Sequence, residues 1–194
     1  MDKEEQSLQS VRRLAIIAAA TLTLVFYPVS RATPDADERL SLIFLGDTNF
    51  GESYLEEVEK NGGENMLKSR GYGYSINHFS NLLREADFVI GNLETSLAAL
   101  TSSPLADRKS YLHRSDPVET AKALKEHNFS AVSLANNHSM DYGVIGLQQT
   151  LDALQAQGIK SFGAGENDSA ARKPILLKRL LSGRVFSFIV AAGF

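Results

Sequence analysis

Cysteine is absent from the 194 residues, which excludes a disulfide framework and any thiolate zinc site. Any metal held by this chain must therefore sit on oxygen and imidazole ligands. A strong charge of one sign is also lacking. Twenty Lys and Arg stand against 23 Asp and Glu, for a net charge of −3. That balance gives no reason to expect nucleic acid as a partner. There is no internal repeat and no low-complexity tract. What is present is an ordinary globular composition, 43% hydrophobic and 22% charged, long enough for one domain with a core.

Long uncharged runs are scarce, and one comes near a membrane span. "MDKEEQSLQSVRR", residues 1–13, is polar and ends in Arg12 and Arg13. "LAIIAAATLTLVFYPV", residues 14–29, follows without a charge. It falls slightly short of the roughly 20 residues that a comfortable span needs. A signal peptide and a short signal anchor both fit. No clear A-x-A site follows in "SRATPDADE", which favours the uncleaved anchor. The paired arginines keep the N-terminal side cytoplasmic. The expectation is a single-pass cell-membrane protein with its folded domain outside. The alternative is a secreted or periplasmic protein after cleavage.

"SRATPDADER", residues 30–39, reads as a polar linker, and the folded domain is expected over 40–194. Short apolar runs bounded by glycine or asparagine predict buried strands at 40–46, 87–92 and 129–135. Ile76, Phe79, Leu82 and Leu83 at helical spacing predict a helix over 74–86. Asp116 followed by Pro117 predicts a helix start. An amphipathic helix is expected over 143–158, with Gly158 as its stop. "IKSFGAG" predicts a fourth strand and turn, and two more strands meet at a tight turn on Ser182 and Gly183. Strand alternating with helix means an α/β domain.

Three polar clusters follow three of these strands. They are "GDTNFGE", "GNLET" and "ANNHSMDYG". In an α/β sheet the carboxyl ends of the strands converge on one crevice, where ligands bind. Asp47, Asn92, Glu94, Asn137 and His138 are thereby expected to share a site despite their distance in sequence. Asp, Glu, Asn and His suit divalent ions such as manganese, zinc or iron, and two such ions can activate a water. Each cluster alone has a plainer reading. Gly-Asp after a strand is common turn chemistry. Asp141 reads as a helix cap or a supporting group rather than a ligand. The coincidence of three clusters at three strand ends favours a site.

These motifs, together with "GIKSFGAGEN" and "ARKP", resemble the bacterial capsule synthesis proteins of the CapA type, known as PgsA in poly-γ-glutamate systems. The resemblance runs from about Ser41 to the C-terminus. It implies a calcineurin-like metallophosphoesterase domain, a two-sheet sandwich flanked by helices around a dinuclear metal site. By this resemblance Asp47 and Asn49 match a D-x-[HN] element. Asn92 and Glu94 stand at the second acidic element. Asn137 is a metal ligand and His138 the general acid. Ser139 replaces an acidic residue. His113 is expected to contact substrate, while His78 and His127 are expected to be structural. The implied partners are an extracytoplasmic polymer (poly-γ-glutamate or capsular polysaccharide) and membrane synthase subunits.

The resemblance also implies further histidine motifs after Phe194. The chain is therefore expected to be C-terminally truncated, with part of the metal site and an exposed sheet edge that invites aggregation. A non-catalytic assembly or export subunit is the alternative.

Overall fold

The computed structural model describes residues 39–192. The n-region, the apolar segment and the linker up to residue 38 lie outside the described residues. Among the described residues, no helix is long and apolar enough to cross a membrane.

The chain begins with β1 (Leu42–Thr48), then four short helices: α1 (Glu52–Lys60), α2 (Met66–Arg70), α3 (Tyr74–Asn77) and α4 (Ser80–Glu85). Next come β2 (Phe88–Leu93), β3 (Ser96–Leu97), β4 (Arg114–Ser115) and α5 (Pro117–Glu126). After these follow β5 (Phe129–Ser133), α6 (Gly143–Ala156), β6 (Lys160–Phe162) and α7 (Asp168–Ala171). A hairpin of β7 (Ile175–Leu181) and β8 (Arg184–Val190) completes the described part. Strands β1, β2, β5 and β6 pair in parallel in the order β1-β2-β5-β6.

Side chains alternate across the sheet, as strand geometry requires. On β2, Val89 and Leu93 join a core with Leu124 of α5, Leu147 and Leu154 of α6 and Phe129 of β5. Phe88 and Ile90 join a second core with Leu177 and Phe188 of the hairpin. The Phe88 and Phe188 rings meet edge-on, with centroids 6.2 Å apart. Helices thus cover one face of the parallel sheet and an antiparallel hairpin the other. This is the expected sandwich in part: the second sheet has two strands among the described residues.

Local chemistry explains several boundaries. Asp116 caps α5, its Oδ1 accepting from the amides of Val118 at 2.8 Å and Glu119 at 2.9 Å. Gly158 ends α6 at φ 68°. The amide of Ile159 returns to the Leu154 carbonyl and that of Gly158 to Gln155, both at 2.9 Å. Ser182 and Gly183 both take positive φ, 47° and 77°, as a two-residue hairpin turn demands.

Three expectations are corrected. The helix read over 74–86 is two pieces, broken at His78 and Phe79. Only Ile76 and Leu83 of its apolar stripe pack into the core, while Phe79 and Leu82 are exposed, so no continuous buried face holds one helix together. The first strand is shifted to 42–48 and lies at the sheet edge, with Phe44 exposed rather than buried. The last strand, β8, is core on one side only: among the described residues it pairs with β7, Phe188 and Val190 pack on the second core, and Ile189 is exposed.

Candidate functional site

Strands β1, β2 and β5 end at one rim, and the three polar clusters meet there. A bulge between Phe44 and Asp47 adds a residue to β1 and sets Asp47 opposite Asn92. The Asn92 amide donates to Asp47 Oδ1 at 2.7 Å. Asn92 Oδ1 in turn accepts from Asn136 Nδ2 at 3.1 Å, and Asn136 Nδ2 also reaches the Leu93 carbonyl at 2.9 Å. Asn136 Oδ1 accepts from the His138 amide at 3.0 Å. Three strand ends are thus tied by two asparagine side chains.

The second half of the site is built around Asp141, which has no exposed surface. A carboxylate so placed is costly to bury unless its oxygens are matched. Its Oδ2 accepts from His138 Nδ1 at 2.8 Å and from the His113 amide at 2.6 Å. Its Oδ1 accepts from Lys109 Nζ at 2.5 Å. Lys109 also donates to the Asn137 carbonyl at 2.7 Å. The imidazoles of His113 and His138 stack face to face, 3.6 Å between centroids and 6° from parallel. Asn49 Nδ2 lies 2.7 Å from His113 Nδ1, and Asn49 Oδ1 accepts from the Gly51 amide at 2.7 Å.

A proton on His138 Nδ1 bound to Asp141 fixes the tautomer and leaves Nε2 to give or take a proton. Nε2 has no hydrogen-bond partner among the described residues. Asp141 is therefore a supporting group and not a helix cap. The N-cap of α6 is Tyr142, with no side-chain cap bond.

The remaining sequence-predicted residues divide by their contacts. Glu94 is half-buried, and its carbonyl lies 3.1 Å from His113 Nδ1. Asn137 is exposed and enters the network through its carbonyl alone. Of the two adjacent asparagines, it is Asn136 whose side chain joins the strand ends. His127 is buried between the Ala123 carbonyl at 2.7 Å and Asn77 Oδ1 at 2.9 Å, a structural position as expected. Among the described residues, no three His, Asp or Glu side chains come together closely enough to hold an ion. Sequence reasoning missed Asn136 and Lys109. Asn136 carries a signal, since the asparagine ending an apolar run stands nearest the strand. Lys109 carries none: it sits in a polar stretch with no periodicity.

The family described as Bacterial capsule synthesis protein PGA_cap matches residues 41–193. The chain belongs to this family. Capsule synthesis proteins of this kind include the PGA biosynthesis protein CapA of Bacillus subtilis, 32% identical over 145 residues, or 75% of this chain and 35% of the relative. The Capsule biosynthesis protein CapA of Bacillus anthracis is 32% identical over 158 residues, 78% of this chain and 35% of the relative. A "Probable polyglutamine synthesis accessory protein" of Mycobacterium tuberculosis is 39% identical over 106 residues, 51% of this chain and 27% of the relative. The chain thus spans about a third of the length of the capsule relatives it matches. The match to the PGA_cap family takes in all three polar clusters of the rim.

Proposed function

We propose that this protein acts in the production of an extracytoplasmic capsular or poly-γ-glutamate polymer, by metal-assisted hydrolysis or transfer at the shared strand rim. One observation carries the reading. Hydrogen bonds run without a break from Asp47 through Asn92, Asn136, His138, Asp141 and His113 to Asn49. A network of this kind holds its side chains in one arrangement, which is what a reaction centre requires. The layering of helices, parallel sheet and hairpin supports a metallophosphoesterase-like domain.

The donor set is carboxylate and amide oxygen, which suits a hard or borderline divalent ion such as manganese, zinc or iron. Asp47 would hold the ion, with Asn49, Glu94 and Asn137 supplying further oxygens and a second ion sharing them. Asn92, whose oxygen faces Asn136, holds the Asp47 carboxylate in place. Such ions, when bound, acidify a water and neutralise charge building on an oxygen. His138 moves the proton at Nε2. Asp141 keeps that ring oriented, and His113 meets the substrate. The N-terminal apolar segment would hold the domain beside membrane synthase subunits.

The test is thermal unfolding of the full chain with manganese. At a hundredfold excess over Kd, a bound ion adds about 2.7 kcal/mol. That is about 5–10 °C in Tm for a chain of this size. Asp47→Asn should abolish the rise, and an unshifted wild type would refute ion binding. A second reading, a non-catalytic assembly subunit, is favoured by the lack of a three-ligand cluster among the described residues. It requires that Asp47→Asn and His138→Ala leave polymer production intact in a complementation assay.

A further inference from the structure

The β7–β8 hairpin has one face that the second core uses and one left open among the described residues. Leu177 and Phe188 pack inward, and Arg179 on the same side reaches Asp87 at 2.9 Å. Their alternating neighbours point the other way. Leu176 stands opposite Ile189 and Leu180 opposite Val185, with Lys178 opposite Ser187 between the two pairs. The four apolar side chains are 41%, 76%, 66% and 64% exposed in that order. A contiguous apolar stripe of this kind marks an interaction surface.

Charge decides what the stripe fits. Residues 169–194 hold five Lys and Arg and no Asp or Glu, in a chain whose net charge is −3. Two of the five are neutralised, Arg179 by Asp87 and Arg172 by Asp168, both at 2.9 Å. Lys173, Lys178 and Arg184 are exposed, and none of the three has an ion pair among the described residues. They stand just before β7, at the centre of the stripe and beside the turn. A soluble polyanion meeting this face would take the cations and leave four apolar side chains in water. A bilayer with anionic headgroups takes both, because its phosphates lie directly above an apolar layer. The entry of the chain points the same way. Leu40 and Leu42 pack into the second core beside Ile175 and Val190 of the hairpin. Ten residues, 30–39, join this entry to the uncharged run of 14–29. Ten residues reach about 35 Å at most, so a bilayer holding that run lies within range of the hairpin.

We propose that the outer face of the β7–β8 hairpin rests on a bilayer surface that carries anionic headgroups. Leu176, Leu180, Val185 and Ile189 enter the boundary between headgroups and acyl chains, while Lys173, Lys178 and Arg184 meet the lipid phosphates. The rim, at the far end of β1, stays clear of this contact. The inference goes beyond the proposed function and rests on it only for bringing the domain to a membrane.

Because the chain has no cysteine, a single one can be introduced and labelled. An environment-sensitive nitrobenzoxadiazole probe is placed at Leu180→Cys or Ile189→Cys, or at Lys122→Cys on helix α5 as a control. The full chain is reconstituted into vesicles of phosphatidylcholine with phosphatidylglycerol. Spin-labelled lipid should quench the two hairpin probes about threefold or more over the control. Lys178→Glu with Arg184→Glu, or raised salt, should return that quenching to the control level. All of these positions are exposed, so Tm should match wild type and separate lost contact from lost folding. If the hairpin probes are quenched no more than the control while the chain still floats with the vesicles, the inference is overturned and the N-terminal anchor stands. If the double glutamate variant no longer floats, the hairpin contact is supported and the anchor is refuted. Equal hairpin quenching in phosphatidylcholine alone overturns the assignment of anionic headgroups. A probe response that requires only a γ-linked glutamate oligomer, or only a higher protein concentration, overturns the lipid in favour of polymer or a second copy.

Discussion

Asp141 shows how much one side chain can organise. It is fully buried, and it takes hydrogen bonds from a lysine, an imidazole and a backbone amide contributed by separate parts of the chain. Its replacement by asparagine removes the partner of Lys109 and turns one acceptor oxygen into a donor. Breaking a buried charged pair from one side costs about 3–5 kcal/mol, and Lys109 at 25% exposure places this case at the low end. Asp141→Asn should therefore lower stability by about 3 kcal/mol in a urea titration. A loss under about 1 kcal/mol would mean that the carboxylate is not matched as the hydrogen bonds indicate. The sequence marked Asp141 as a helix cap or a supporting group rather than a ligand, and the hydrogen bonds make it the second. The sequence did not reveal Lys109, because a contact between residues 32 positions apart leaves no local pattern.

At the level of elements, helix α5 is held by the residue that caps it. Asp116 satisfies two amides that would otherwise be unpaired. Asp116→Ala should cost about 1 kcal/mol, or about 2–4 °C in Tm, by calorimetry. An unchanged Tm would show that tertiary packing of Thr120, Ala121 and Leu124 holds the helix start without the cap. This cap, the Gly158 stop and the Ser182–Gly183 turn were all legible, since each is a local rule written in adjacent residues. The strands of the parallel sheet were legible too, as apolar runs at β2 and β5. What escaped was decided over distance. Helix α1 has Leu55 and Val58 half-buried three apart, but it lacks a side-chain cap and four of its nine residues are glutamates. The two-residue strands β3 and β4 exist only because Ser96 and Leu97 find Arg114 and Ser115 across a long connection. The break at His78 and Phe79 depends on which apolar residues find a core, and spacing alone does not determine that.

For the whole molecule, the two faces of the parallel sheet are covered differently. Helices seal one side with a large core, and a lone hairpin covers the other. The outer surface of that hairpin pairs Leu176 with Ile189 and Leu180 with Val185 across the strands, all four exposed. An apolar stripe on a two-stranded ribbon is an aggregation liability. Leu180→Lys with Ile189→Lys should raise the concentration at which light scattering first detects association, with Tm unchanged. Equal onset in variant and wild type would locate the liability elsewhere. The separation of duties between the two ends of the sheet has a further meaning. The crossover helices pack on one face of the parallel sheet, and β1, β2 and β5 all end with their polar clusters at one margin, so lengthening a connection at the opposite margin leaves the chemistry undisturbed. Such a scaffold can accept new segments on one side while its reacting groups stay in register on the other.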